Sequence, residues 1–190
     1  MKNIINLTKL YTINLYNKKS FLYSIILLIA ISLFLIPNKD SSYITFYIDK
    51  YTGESNSIWV SSLGAIFTNL ILSFIGFFFI EGNYIEEKEC GLGNIVRITI
   101  TSNKALLLYK WLAYIIVLFS FLVLIILSLY IINFKSFNFT TFLYPFIYFN
   151  IPYIFILSSI ILILDIFIQY RGVKITFFIC LIFFLSSLKI

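Results

Sequence analysis

The sequence predicts an all-α integral membrane protein: a polytopic helical bundle with about five transmembrane helices. Of the 190 residues, 61% are hydrophobic and only 12% are charged, whereas a soluble domain is roughly half apolar and a quarter charged. A water-soluble core of this length cannot bury such an excess. The apolar residues also fall into runs of span length, separated by short polar connections. We therefore expect a single transmembrane domain over residues 1–190.

The chain begins with a basic stretch, residues 1–20, that contains four lysines and no acidic residue. Apolar residues recur in it at helical spacing, at Ile4, Leu7, Leu10 and Tyr11. This pattern predicts an amphipathic helix in the cytoplasmic membrane interface. The alternative is a disordered basic tail that only sets the orientation of the first span.

The first two spans are predicted over residues 21–36 and 58–80. The first run is short, but the lysines before it can reach the interface and extend it. Its long basic lead and the lack of a small-residue cleavage site argue against a signal peptide. Residues 38–57 are polar and poor in basic residues, as expected for an external loop. Within that loop, residues 43–48 predict either a short strand or an aromatic surface segment.

Small and polar residues mark the second span. Ser61, Ala65, Thr68 and Gly76 fall roughly on one helical face, and such a stripe allows close approach by another helix. Asn69 lies in the middle of the span. Its amide is predicted either to line a polar route or to form a bridge to a neighbouring helix.

The longest polar segment, residues 81–108, follows the second span and contains four of the chain's eight acidic residues. We call it the docking segment and predict that it is cytoplasmic. A short helix is expected to begin near Asn83 or Tyr84, with acidic residues in its first turns, where they complement the positive helix end. Asn103 can cap the next helix. The alternative is a solvated loop whose charges only keep it out of the lipid.

The third and fourth spans are predicted over residues 109–132 and 142–169. The third is almost purely aliphatic in its middle. The fourth is interrupted in its first half by Pro145, Asn150 and Pro152. Because proline removes a backbone hydrogen bond, this segment is either one kinked helix or an entry element followed by a helix from Pro152.

Asp165 is the intramembrane acid of the sequence, about one helical turn from the predicted cytoplasmic end of its span. It is expected to reach the interface or to pair with Arg171, and the alternative is a role with a proton or a substrate. Residues 170–174 are predicted to form a tight basic turn on the cytoplasmic side, followed by a short fifth span over residues 175–188.

The distribution of basic residues predicts the orientation. Ten lie in the predicted cytoplasmic segments and four outside, which places the N-terminus inside and the C-terminus outside. The same residues are scattered between spans, so nucleic-acid binding is not expected. The sequence has no histidine and no Walker-type phosphate loop. We predict no cofactor, no metal site and no catalytic residue, and free thiols at Cys90 and Cys180.

The order of these elements resembles the permease subunits of exporter-type ABC transporters, the type-two permease family. The resemblance is carried by Glu86–Leu92, by Thr101–Lys104 and by Tyr109–Lys110, which look like the family's acids before a glycine, its Thr/Ser-rich break and its lysine at the third span. It implies a coupling helix that contacts a partner ATPase. The residues it assigns to ATPase coupling are Tyr84, Glu86, Glu87, Glu89, Gly91, Leu92 and Arg97.

The resemblance implies a non-enzymatic permease subunit in the bacterial cytoplasmic (inner) membrane, driven by a separate ATP-binding cassette protein. The subunit would form a homodimer or pair with a second permease, with its lipid-facing helices in the bilayer. The family has six spans, so a chain with five is either a truncated or minimal version or is completed by another polypeptide. The alternative is a structural or assembly membrane protein without transport activity, for which the docking segment is merely solvated.

Overall fold

The structure is a computed structural model, and the helices that it describes pack into one bundle. It describes five stretches of the chain: residues 2–34, 57–81, 103–133, 138–168 and 170–187. These stretches are helical almost throughout and contain no strand, which confirms the all-α class. The strand predicted at residues 43–48 and the short helix predicted within the docking segment lie outside the described residues.

The described helices, numbered in chain order, include one π-helical turn. They are α1 Lys2–Tyr16, α2 Lys19–Phe34, α3 Ser57–Ile71 followed by the π-turn Leu72–Gly76, α4 Asn103–Asn133, α5 Phe139–Phe167 and α6 Arg171–Ser187. After the π-turn, α3 continues as a helix to Glu81.

Three of the described helices are long and apolar enough to cross a membrane: Val60–Glu81, Leu107–Ile131 and Phe139–Phe167. Their lengths of 22, 25 and 29 residues meet the requirement of about 20 residues for a bilayer span. The chain is therefore a membrane protein built around these three helices. Helices α2 and α6 are apolar but shorter, with 16 and 17 residues.

Helix α1 packs against α4, and three of its four predicted apolar positions, all except Leu10, are buried or partly buried against the core. Thr8, Tyr11 and Leu15 are buried, and the Tyr11 ring meets Tyr109 edge-on at 5.7 Å between centroids. Leu10, expected on the same face as Tyr11, is 65% exposed. The reason is helical geometry: positions three and four apart share a face, and adjacent positions do not. The disordered-tail alternative does not apply to the described part of this stretch.

Helix α4 lies at the centre of the bundle. Its aliphatic sequence buries Leu118, Phe121 and Ile125 among the neighbouring helices, as expected for a helix that is apolar on all sides. Phe121 stacks on Phe21 of α2 at 5.5 Å between centroids. On the other side, α3 lies along α5, and Phe77 of α3 stacks on Phe178 of α6 at 3.9 Å.

Two helix ends differ from the predicted boundaries. Helix α5 is one continuous helix with both prolines inside it, and it begins at Phe139 because the Asn138 side chain accepts a hydrogen bond from the Thr140 backbone N–H. Helix α6 begins at Arg171, so most of the predicted basic turn is its first helical turn. The N-terminal extension of α4 to Asn103 agrees with the predicted start near Lys104.

Candidate functional site: a buried ionic cluster

Four polar side chains from four helices meet at one end of the bundle. Glu81 is the last described residue of α3, Asp165 lies two residues before the end of α5, and Lys174 is the fourth residue of α6. The connection between α5 and α6 is short, so Asp165 and Lys174 are brought face to face across it. Tyr114 of α4 completes the group, which we call the ionic cluster.

Lys174 joins the two carboxylates. Its Nζ donates to Asp165 Oδ1 at 2.9 Å and to Glu81 Oε2 at 3.1 Å. Tyr114 donates its hydroxyl to the other oxygen of Asp165, Oδ2, at 3.1 Å. Through these three hydrogen bonds the ends of α3 and α5 are connected to α6 and to the central helix α4.

The ionic cluster is almost completely withdrawn from the surface. Glu81 and Lys174 are each 1% exposed, and Asp165 is 7% exposed. Burying an ion costs several kcal/mol, and only close partners with good geometry offset that cost. Glu81 Oε1 has no hydrogen-bond partner among the described residues. Among the described residues, the ionic cluster therefore has one carboxylate oxygen without a hydrogen-bond donor, at a buried position where a charge is energetically unfavourable.

Two of the sequence-based assignments at this site are wrong. Glu81 is predicted to be the first residue of the polar docking segment, but it is buried, and α3 is helical without a break up to this residue. Lys174 is predicted to lie in the tight basic turn 170–174, but it belongs to α6 and faces the bundle. Asp165 is a paired acid, as expected, and the partner that the structure shows is Lys174. The side chain of Arg171, the predicted partner, lies outside the described residues.

A second polar contact joins α3 to α5 within the apolar part of the bundle. Asn150 Nδ2 donates to Asn69 Oδ1 at 2.7 Å and to the Ala65 carbonyl oxygen at 3.0 Å. Further along, the hydroxyls of Ser73 and Tyr153 are hydrogen-bonded to each other. Asn69 thus forms a bridge to a neighbouring helix of the same chain, the second of the two roles predicted for it.

The small-residue stripe of α3 faces inward. Ser61, Ala65 and Thr68 are fully buried, and the Ser61 and Thr68 hydroxyls donate to carbonyl oxygens of their own helix. Gly76 lies directly against Leu118 of α4. The stripe therefore packs α3 onto helices of its own chain and does not form an exposed surface of the bundle.

The docking segment starts directly from the ionic cluster. The residues assigned to ATPase coupling all lie outside the described residues: Tyr84, Glu86, Glu87, Glu89, Gly91, Leu92 and Arg97. Its two flanks are described. Glu81 is held in the cluster, and α4 extends from Tyr114 back to Asn103, eleven residues (114 − 103) or about 16 Å of helix.

The described residues include no group of three or more His, Cys, Asp or Glu side chains placed to hold a metal ion. No protein-family model, no curated protein and no solved structure matches this chain.

Proposed function

We propose that the chain is the transmembrane permease subunit of an ATP-driven ABC exporter. It resides in the bacterial cytoplasmic membrane with its N-terminus inside, and it works as a homodimer or with a second permease subunit. ATP is hydrolysed by a separate ATP-binding cassette protein, because this sequence carries no Walker-type phosphate loop of its own.

The observation that carries the proposal is the attachment of the docking segment. Its sequence combines apolar and acidic residues as a helix that fits a groove on a partner does. It leaves α3 immediately after Glu81, whose side chain is held by Lys174. A displacement of the docking segment therefore acts on α3, and through the ionic cluster on α5 and α6, as rigid elements.

The topology proposed with it has five spans. Helices α2 and α6 cross the membrane beside the three longer helices, with lysines at the start of α2 shifting to the interface to make up for its length. Helix α1 lies along the cytoplasmic interface, with Lys9 exposed. Both flanks of the docking segment are then on the cytoplasmic side, where an ATPase is found.

The test is co-purification of the chain with the ATPase encoded beside it. We expect the wild-type chain to retain that ATPase after solubilisation. A triple variant, Glu86→Gln, Glu87→Gln and Glu89→Gln, is expected to lose it and to lose ATP-dependent export, because the acidic face of the docking segment is removed. The matched control changes three acids of the predicted external loop: Asp40→Asn, Asp49→Asn and Glu54→Gln.

The two variants alter the net charge equally, so a general charge effect reduces ATPase retention in both. A permease subunit is expected to respond to the docking-segment substitutions alone. If the wild-type chain retains no ATPase, the proposal is wrong. If it retains an ATPase equally with and without the docking-segment acids, the docking segment is not the contact and the permease mechanism stated here is wrong.

A further inference from the structure

We propose that the groove between α1 and α4 binds an anionic phospholipid, with an acyl chain in the groove and the headgroup phosphate at Lys9. The inference concerns the contact of the chain with the bilayer and does not depend on a partner ATPase. It starts from the shape and the lining of the groove.

The groove is an open cleft with a volume of about 420 Å³, within the range of about 300–1,000 Å³ that is usual for small-molecule sites. Helix α1 forms one wall, which includes Ile5, Ile13 and Tyr16, and the wall from α4 consists of Leu112 and Ile116. The three isoleucines are exposed. The groove therefore presents apolar side chains that the described part of the chain leaves uncovered.

The two threonines of the α1 wall do not make the groove polar. Thr8 Oγ1 donates to the Ile4 carbonyl oxygen at 2.9 Å, and Thr12 Oγ1 donates to the Thr8 carbonyl oxygen at 2.8 Å. Both hydroxyl hydrogens are thus used within α1 itself. A surface of this kind favours a hydrocarbon chain over a polar ligand, because apolar groups gain free energy when they leave water.

Lys9 gives the groove its charge. It is the charged residue among those that line the groove, and it is exposed. Because Ile5 and Ile13 lie four residues before and four residues after it, the three side chains follow one another along one face of α1. A lysine can place its hydrocarbon stem along an apolar surface and keep its ammonium in the polar headgroup layer. The groove therefore offers an apolar cleft and a cation beside it, which match the acyl chain and the phosphate of a phospholipid.

The charge of the two walls favours an anionic lipid over a zwitterionic one. The sequences of α1 and α4 contain four lysines, Lys2, Lys9, Lys104 and Lys110, and no Asp or Glu. Basic residues near a membrane surface attract lipids with a net negative charge, whereas a zwitterionic headgroup has no net charge. A second copy of this chain on the same face would bring the same excess of lysines with it. Charge complementarity thus selects the lipid as the occupant.

The position of the groove along α4 agrees with a lipid. Leu112 and Ile116 belong to the candidate span Leu107–Ile131. Leu112 lies five residues (112 − 107) from the start of that span, which is about 8 Å of helix. This is close to one end of a span, where the headgroup layer of a bilayer meets the acyl chains. Lys9 can therefore contact a phosphate while the acyl chain follows α4 into the bilayer.

The experiment is photo-crosslinking of the full-length chain in phosphatidylcholine vesicles. Each sample contains a trace of one of two probes, phosphatidylglycerol or phosphatidylcholine, with the same diazirine-bearing acyl chain. Peptide mapping measures labelling of residues 5–16 and 112–116 relative to residues 139–167 of α5. We expect the phosphatidylglycerol probe to label the groove about fivefold more than the phosphatidylcholine probe, the factor that one lysine near an anionic headgroup provides. This comparison needs no variant to fold.

The variants test the role of Lys9. Lys9→Gln is expected to make the two probes label the groove equally. The matched control, Lys104→Gln, removes the same charge from an exposed position of α4 that does not line the groove, and it is expected to keep the difference. Equal labelling of the wild-type groove by the two probes overturns the proposal, because the groove then holds lipid without headgroup recognition. Survival of the full difference in Lys9→Gln also overturns it, as does a groove that neither probe labels. Retention or loss of an ATPase has no bearing on these outcomes.

Discussion

Lys174 contacts both buried acids of the ionic cluster, so the stability of this end of the bundle is concentrated in one side chain. Its Nζ lies 2.9 Å from Asp165 Oδ1 and 3.1 Å from Glu81 Oε2. Removing one partner of a buried ion pair leaves the other charge uncompensated, which costs about 3–5 kcal/mol. In contrast, an exposed ion pair contributes about 0–1 kcal/mol.

Lys174→Met is therefore expected to reduce the free energy of unfolding by about 3–5 kcal/mol. Denaturant unfolding of the detergent-solubilised chain measures this loss. The control is Lys104→Met, which removes the same charge from an exposed position at the start of α4 and is expected to change stability by no more than about 0.5 kcal/mol. Equal effects of the two substitutions would contradict the assigned role of Lys174.

Of the individual residues in the ionic cluster, only some could be predicted from the sequence. Asp165 stood out because an acid in an apolar run needs a partner. The partner was not predictable, because it depends on how sharply the chain reverses between α5 and α6 and on which face of α6 meets the bundle. Tyr114 and Glu81 gave no signal, since a tyrosine in a span is common and Glu81 begins a polar run.

Helix α3 contacts three neighbouring helices along its length. Before the π-turn, Asn69 and Ala65 contact α5. At its end and beyond it, Gly76 lies against α4 and Phe77 stacks on α6. At Gly76 the approach is so close that an added Cβ would overlap the Leu118 side chain. A larger residue at position 76 therefore requires the buried Leu118 side chain to shift.

Gly76→Ala is expected to destabilise the bundle by about 1–3 kcal/mol, the usual cost of overpacking, since Leu118 has to shift. The matched control is Gly172→Ala, because a Cβ at Gly172 meets nothing within 4 Å. That variant is expected to be at least as stable as the wild-type chain, because alanine has the higher helix propensity. Thermal unfolding of both variants in the same detergent gives the comparison. A loss for the control as large as the loss for Gly76→Ala would contradict the packing role assigned to Gly76.

The existence of the long helices could be predicted because their apolar runs meet the length of a bilayer. Their ends could be predicted only in part. The start of α5 depends on the Asn138 cap, and the start of α6 lies within residues whose charge is typical of a turn. A run of charged residues usually predicts a segment exposed to solvent. Here, however, Lys174 lies inside the bundle as part of an ion pair.

For the whole molecule, the two cysteines offer a test of the proposed topology. Cys90 lies in the docking segment, which is proposed to be cytoplasmic. Cys180 lies on the outer surface of α6, which is proposed to face lipid. The thiolate is the reactive form, and it is disfavoured in lipid.

A membrane-impermeant maleimide is therefore expected to label Cys90 in inside-out vesicles and not in intact cells. Cys180 is expected to remain unlabelled in both until detergent is added. Single-cysteine chains made with Cys90→Ser and Cys180→Ser separate the two signals by gel shift. Labelling of Cys90 in intact cells would place the docking segment outside and contradict the orientation.

At the scale of the molecule, the all-α membrane class was predicted correctly from composition and run length alone. The count of five spans, the orientation and the partner ATPase stay predictions. Composition distinguishes a helix surrounded by lipid from one in water. It does not distinguish a polar segment that contacts a partner from a solvated loop, because both kinds of segment are rich in charged residues.

The π-turn Leu72–Gly76 affects the direction in which the later side chains of α3 point around the helix axis. One residue corresponds to about 100° of rotation in a regular α-helix. A π-turn holds one residue more than an α-turn over about the same rotation. Deleting a single residue within it, and so restoring regular winding, would therefore leave the Glu81 carboxyl facing Lys174, whereas the same deletion in the regular part of α3 would turn it away although no side chain of the ionic cluster had been altered.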